Sequence, residues 1–559
     1  MKLKLLAAAA AAALLLTSCA ADNALPPQET EHTTSTTSAS TTTTTTEATT
    51  TPPPEPVYSD DCEAYIERFA ISGENRYMTS PMEYGIDGEN GVLSVSIDYY
   101  SYVDIYTLQN CILDISVTEG EHSVDEAALN PDGTVDLTKL TEIVLTDGEG
   151  LKRKYDIVTE RTFYDLPIVN IYLDDMTGVN SIGRNTYTGM TFFIDAAGAD
   201  ASMSTDVISG GIRGRGHSTW SWAKKPYRIK LDESVSVLGL DKNKDWILLA
   251  NYSDKSFLRN IVAYNMGHDL DGLEWSPTQY PVDLFVNGEY RGVYTIGEHM
   301  EVGNGRVNID EDSADADTGY LLEIGGSDDD DELNVDFFHT AQKLAKFIVI
   351  KSPDEDVITD EQKEYIRNYL NETEKAIVSG VGYEDYIDVD SFCDWIIIHE
   401  LTYNADSCFR RSCYMTKDRG GKLHMGPIWD FDLAFANCNM DNQNYNDWVT
   451  VGYGTSYDDA YVIANWCNYL MDNADFRSRI RERWFEVRDR LLDTAMKSID
   501  FYSDKIYRSQ EQNYQVWQVW GTKVGYQSNR NAQYETYELQ IQYLKDYLTA
   551  RAEWIDNNI

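Results

Sequence analysis

Hydrophobic and polar positions change period along this chain, and each change marks out a different set of elements. Between about 80 and 160 apolar and polar residues alternate in short runs: VLSVSIDYY, CILDISVTE, EIVLTD and KYDIVTE. A period of two turns one face of each run inward, which is the pattern of a half-buried strand. DGENG, NPDG and DGEG separate these runs with turn residues, so the pattern predicts a small all-β module of sandwich type. From 165 to 350 further strands are predicted at LPIVNIYLDD, TFFIDAAG, PYRIKLD, PVDLFVNG, YRGVYTIGEHM and GYLLEIGG. KSFLRNIVAYNMGHDL instead has the 3.6-residue spacing of a helix. Helices dominate 355–400, where VDSFCDWIIIHELTY is apolar nearly all round and predicts a central buried helix. After 470, two long amphipathic stretches rich in aromatic anchors predict helices packed on the preceding part, with an extension over 491–559. The class is α+β, a β-containing part followed by a helical one.

The first residues say where such a fold is displayed. MKLKLLAAAAAAALLLTSCA places Lys2 and Lys4 before a short apolar run, then LTSC ending at Cys19. A charged start and an apolar run make a secretory leader. The small residues before the cysteine resemble a bacterial lipoprotein signal over 1–19, which implies lipidation at Cys19. The run is short for a permanent membrane span. The expectation is a chain lipid-anchored to the bacterial cell membrane, with its folded part extracytoplasmic. Residues 20–57, Thr-rich and then PPPEP, have nothing to bury and predict a disordered stalk.

Charge narrows the partners. The 559 residues carry 93 acidic against 46 basic side chains, a formal charge of -47. That excludes a general nucleic-acid surface but leaves room for a local basic pocket. Seven cysteines beyond Cys19 are spread thinly, with no CxxC, and predict free thiols rather than a disulfide framework.

Four stretches carry candidate chemistry. GGIRGRGHSTWSWAKKPYRIKLD, 210–232, leads a Gly-rich turn into a strand whose Arg228 and Lys230 share one face. It reads as a phosphate cradle or as a turn before a surface strand. WILLANYSDKSFLRN offers Arg259 and Asn260 at a helix start, in an internal hydrogen-bonding role or toward a ligand. NGEYRGVYTIGEHMEVGNGRVNI sets Glu298 at the end of a strand, where it could line a cleft. The fourth joins Asp406, after the buried helix, to Asp430 and Asp432 in IWDFDLAFANC. A hairpin between them can bring Asp406 near Asp430. The pair is either the two acids of Mg²⁺–nucleotide chemistry or a pair of loop acids answering Arg410 and Arg411.

Together, IRGRGHSTW with KKPYRIKLD, LLANYSDKSFLRN, NGEYRGVY…E…RVNI and GPIWDFDLAF resemble the signatures of the CotH family of spore-coat-like proteins. The resemblance covers 165–490 and implies a two-lobed atypical protein-kinase-like domain that phosphorylates protein Ser with ATP and Mg²⁺ or Mn²⁺. It implies Lys230 as the phosphate-contacting lysine with Arg228 as alternate, Asp406 as catalytic acid, and Asp430 as metal ligand. Asp432 assists or orders the loop, and Glu298 borders the adenine site. A Ser-rich protein is the implied acceptor. One departure is Arg411, which stands where protein kinases place the Asn of the second metal; Asn404 and Asn437 are the candidate substitutes. The alternative is a weak or inactive kinase-like surface protein that serves in binding, with surface glycan as one ligand.

Overall fold

The computed structural model describes residues 57–559 apart from 72–82, 98–107, 162–164, 175–176, 197–198, 326–337, 440–445, 452–463 and single residues 304, 312, 346, 408 and 410. The leader, Cys19 and the stalk up to 56 lie outside the described residues, as do Cys408 and Arg410. No described helix is long and apolar enough to cross a membrane.

The N-terminal part forms β1 (Ile66–Ile71), β2 (Glu83–Asp87), β3 (Val92–Ile97), β4 (Leu113–Val117), β5 (Glu121–Val124), β6 (Glu142–Thr146) and β7 (Lys152–Arg161), of which β3, β4, β6 and β7 lie in the four alternating runs. They pair as a five-stranded sheet, β2-β3-β7-β6-β5, and a two-stranded sheet, β1-β4. Leu93, Val95 and Ile97 of β3 and Ile143 and Leu145 of β6 occupy alternate positions and are buried in a core of their own with Phe69 and Tyr155.

The next strands are β8 (Ile168–Leu173), β9 (Thr188–Asp195), β10 (Ile208–Gly214), β11 (Tyr227–Val235), β12 (Asn243–Leu249), β13 (Gln279–Val286) and β14 (Glu289–Glu298). They close into a barrel in the order β10-β11-β12-β14-β13-β8-β9. Closure leaves no unpaired edge. Ile171, Phe192, Ile212, Ile229, Trp246 and Ile296 fill its core. Tyr227, Ile229 and Leu231 are buried in β11, so Arg228 and Lys230 fall on the outer face as alternation predicts. Between β12 and β13 runs α1 (Arg259–Gly267), whose start is set by Asp254 accepting from Ser256 and from the Arg259 N–H.

A second sheet, β16-β15-β17-β18, is built from β15 (Tyr320–Ile324), β16 (Ile348–Ser352), β17 (Cys413–Lys417) and β18 (Leu423–Met425). Around it stand α2 (Asp360–Ser379), α3 (Val389–Thr402), α4 (Trp466–Asp472), α5 (Ala474–Val516), α6 (Asn529–Ala532) and α7 (Tyr537–Asn558). The predicted central helix is α3, buried at every position from Ser391 to Thr402. An apolar layer of Ile247, Met300, Leu321, Tyr414 and Trp429 joins the outer face of β12 to the second sheet. The six described cysteines beyond the leader are buried.

Candidate functional site

The loop that follows β18 holds both acids of IWDFDLAFANC, and its backbone is bonded on several sides. The Asp430 N–H donates to Tyr264 Oη at 3.2 Å and the Phe431 N–H to Asn260 Oδ1 at 2.7 Å. Both acceptors belong to α1, as does Arg259, whose Nε donates to the Ala434 carbonyl at 3.1 Å while its Nη1 ion-pairs with buried Asp254. Asn404 Nδ2 donates to the Asp430 carbonyl at 3.0 Å, and Asn437 Nδ2 to that of Asp432 at 2.8 Å. The aromatic neighbours fix the remaining freedom. Tyr264 stacks on Trp429 and meets Phe431 edge-on, and His399 of α3 lies parallel to Phe431 at 5.1 Å. Burial holds His399 down at about 3, so it is a neutral flat ring. Asp430 itself has φ 65°, left-handed and unusual for a residue with a Cβ. Such a conformation persists where its surroundings over-determine it, often at a site that uses it.

Asp406 lies four residues beyond α3, and the β17–β18 hairpin returns the chain to Asp430. Burial and the facing Asp406 carboxylate push Asp432 up to about 6, and the Asp430 and Asp432 side chains are hydrogen-bonded. Ser253 Oγ donates to Asp432 Oδ2 at 3.1 Å. Like charges this close do not all ionise unless a cation compensates them. The oxygen set fits a hard divalent cation, which takes one or two carboxylates and completes its shell with waters and phosphate oxygens. Among the described residues no group of three or more His, Cys, Asp or Glu is placed to hold a metal ion.

A cation approaches the same loop from the Gly-rich turn. Arg215 is buried, with its guanidinium carbon 5.9 Å from the centre of the Trp429 ring. Two glycines set its place. A Cβ at Gly214 would run into the Trp220 ring, and Gly216 has φ 78°.

The family described as CotH kinase protein matches residues 212–555. This chain belongs to the CotH kinase family. The match begins in β10, takes in the Arg215 turn, α1, Asp406 and the 428–438 loop, and ends inside α7. The resemblance carried by the four motifs is borne out. No curated protein matches the chain.

Within this CotH-family domain the predicted site residues fall into two groups. Asp430 and Asp432 are neighbours on one loop, and Asp406 lies within electrostatic reach of Asp432. Arg228 pairs instead with Asp245 at 3.0 Å on the outer face of the barrel. Lys230 is exposed on that face, and among the described residues its side chain makes no hydrogen bond or ion pair. Glu298 ends β14, where its Oε2 accepts from the Thr278 N–H at 2.8 Å and burial raises its pKa. Arg411 is exposed, and the Asn404 amide bonds the loop in its neighbourhood. Sequence reasoning looked past Arg215, Ser253, Tyr264 and His299. Buried His299 is held well below the ordinary histidine range, first by burial and then by Arg228, Arg215, Arg306 and Lys351. The available signal was the Gly-Arg-Gly triplet itself, a cation inside the turn rather than on the strand after it.

Proposed function

We propose that this chain transfers the terminal phosphoryl group of ATP to Ser or Thr hydroxyls of a protein acceptor, acting as a lipid-anchored surface protein. The observation that carries this reading is the convergence of Asp406, Asp430 and Asp432 on one over-determined loop. In the reaction the acceptor oxygen attacks the γ-phosphorus, the bond to the β–γ bridging oxygen breaks, and the hydroxyl proton passes to Asp406. Asp430 and Asp432 would hold Mg²⁺ or Mn²⁺, which would supply charge neutralisation on the phosphates. Ser253 and Asn404 keep these acids in register. The barrel and the helical part act as the two lobes, joined by the apolar layer of Ile247, Met300 and Leu321.

Incubating the full-length chain with labelled ATP, Mg²⁺ or Mn²⁺ and a Ser-rich acceptor tests this directly. Asp406→Ala should lower incorporation by about 10²–10⁴-fold. Wild-type incorporation no greater than that of the variant overturns the reading. Arg411 at the second-metal position favours one further reading, nucleotide binding without transfer. The same assay separates the two, through ATP retained without label in the acceptor.

A further inference from the structure

We infer that Arg215 grips the terminal phosphates of the nucleotide, the task that the family resemblance implied for Lys230; this rests on the phosphoryl-transfer reading above. Arg215 is 8% exposed, and a guanidinium taken from water needs acceptors or an opposite charge. It is one of the four cations around His299, and the other three have acids. Arg228 has Asp245 at 3.0 Å, Arg306 has Glu301 at 2.5 Å, and Lys351 has Glu323 at 3.9 Å. Among the described residues none accepts a hydrogen bond from the Arg215 side chain, whose Nε is buried without a partner. His299, with its own Nδ1 buried and unpartnered, brings no negative charge. The Trp429 ring face compensates only part of the loss of hydration.

The position of Arg215 says which anion it meets. Trp429, under its guanidinium, immediately precedes Asp430. Tyr264 stacks on the same Trp429 ring at 6.2 Å and accepts from the Asp430 N–H at 3.2 Å, and its buried hydroxyl feels Asp430, Arg215 and Asp432, so the cation lies near the acids. An anion that binds a carboxylate-held metal and also a planar guanidinium fork is a polyphosphate, because phosphate oxygens match the fork two at a time. Gly214 lets the turn pass close against the Trp220 ring and Gly216 takes a left-handed φ of 78°, which together carry Arg215 into its buried place. Lys230 is exposed.

The test measures binding by calorimetry on the full-length chain, with inorganic tripolyphosphate, a non-hydrolysable ATP analogue and adenosine, each with Mg²⁺. Arg215→Met should weaken tripolyphosphate and the analogue by about tenfold or more and leave adenosine within about twofold. Arg215→Lys should recover part of the loss, and Lys230→Ala should bind as wild type does. Thermal melts confirm that each variant is folded, and Arg215→Lys serves if Arg215→Met is not. Tripolyphosphate binding that depends on Arg215, without nucleotide binding, would support the anion site and overturn the kinase reading. Wild-type affinity in Arg215→Met, in a chain that still phosphorylates, would overturn the role of Arg215 alone. An equal loss of adenosine and triphosphate, or no binding of any probe by the wild type, would overturn it as well.

Discussion

Asp430 sits at φ 65° because its neighbours leave the loop no other path: Tyr264 and Asn260 accept from its own N–H and the next, and Asn404 donates to its carbonyl. A side chain there strains the backbone, and its charge adds to the crowding of Asp406 and Asp432. Asp430→Gly should therefore keep the fold as stable as wild type, or up to about 1 kcal/mol more stable, in urea melts. It should also abolish metal-dependent transfer. A stability loss of more than about 1 kcal/mol would show that the carboxylate holds the loop together. At this scale the acids were legible in the sequence, since two Asp among Trp and Phe residues demand compensation. The left-handed turn was not legible, because the hydrogen bonds that enforce it come from α1 and from the end of α3.

The 43-residue α5 is the element that binds the helical part to the barrel. Asn513 Oδ1 accepts from the Val293 N–H at 3.1 Å and from Lys224 Nζ at 3.0 Å. Asp283 of β13 accepts from Ser509 Oγ at 2.6 Å and Tyr290 Oη at 2.7 Å. Burial pushes Asp283 up to about 6, against the hydrogen bonds and the charge of Lys224, while Asp165 adds to the rise. The folded protein thus holds this proton more tightly than the unfolded chain. The stability Asp283 contributes is full below about pH 4 and is lost as pH rises through about 6. Asp283→Asn should therefore be more stable than wild type by about 2–3 kcal/mol at pH 7–8, with the difference vanishing near pH 4. Urea melts across that range check it; a difference that does not change with pH would refute it. The 3.6-residue period predicted a long amphipathic helix here. It could not tell that Ser509 and Asn513 face a barrel wall, since that wall is made some 220 residues earlier in the chain.

Across the whole molecule, the last helix completes the part that carries the site. Arg551 of α7 is fully buried, with Nη2 on Glu400 Oε2 at 2.8 Å and Nε on the Glu400 carbonyl at 2.7 Å. Glu400, in α3, also accepts from the N–H groups of Val449 and Thr450. Removing one member of such a pair leaves a buried charge unanswered. Arg551→Ala should lower the unfolding free energy by about 3–5 kcal/mol. Combining Arg551→Met with Glu400→Gln should recover part of that loss in the same denaturant titrations. If Arg551→Ala costs less than about 1 kcal/mol, α7 is an appendage and does not complete the fold.

Local pattern determined the element types, the fully apolar α3, the outward face of β11 and the motifs that carry family membership. Each of these depends on residues a few positions apart, where period and turn chemistry act directly. Only the tertiary structure decided that seven strands close into a barrel, that Asp406 comes within electrostatic reach of Asp432, and that Arg215 is buried beside Trp429 while Lys230 stays exposed. Those facts depend on which strand pairs with which and on burial, and a lysine and an arginine fifteen positions apart carry the same charge until the fold takes water from one of them.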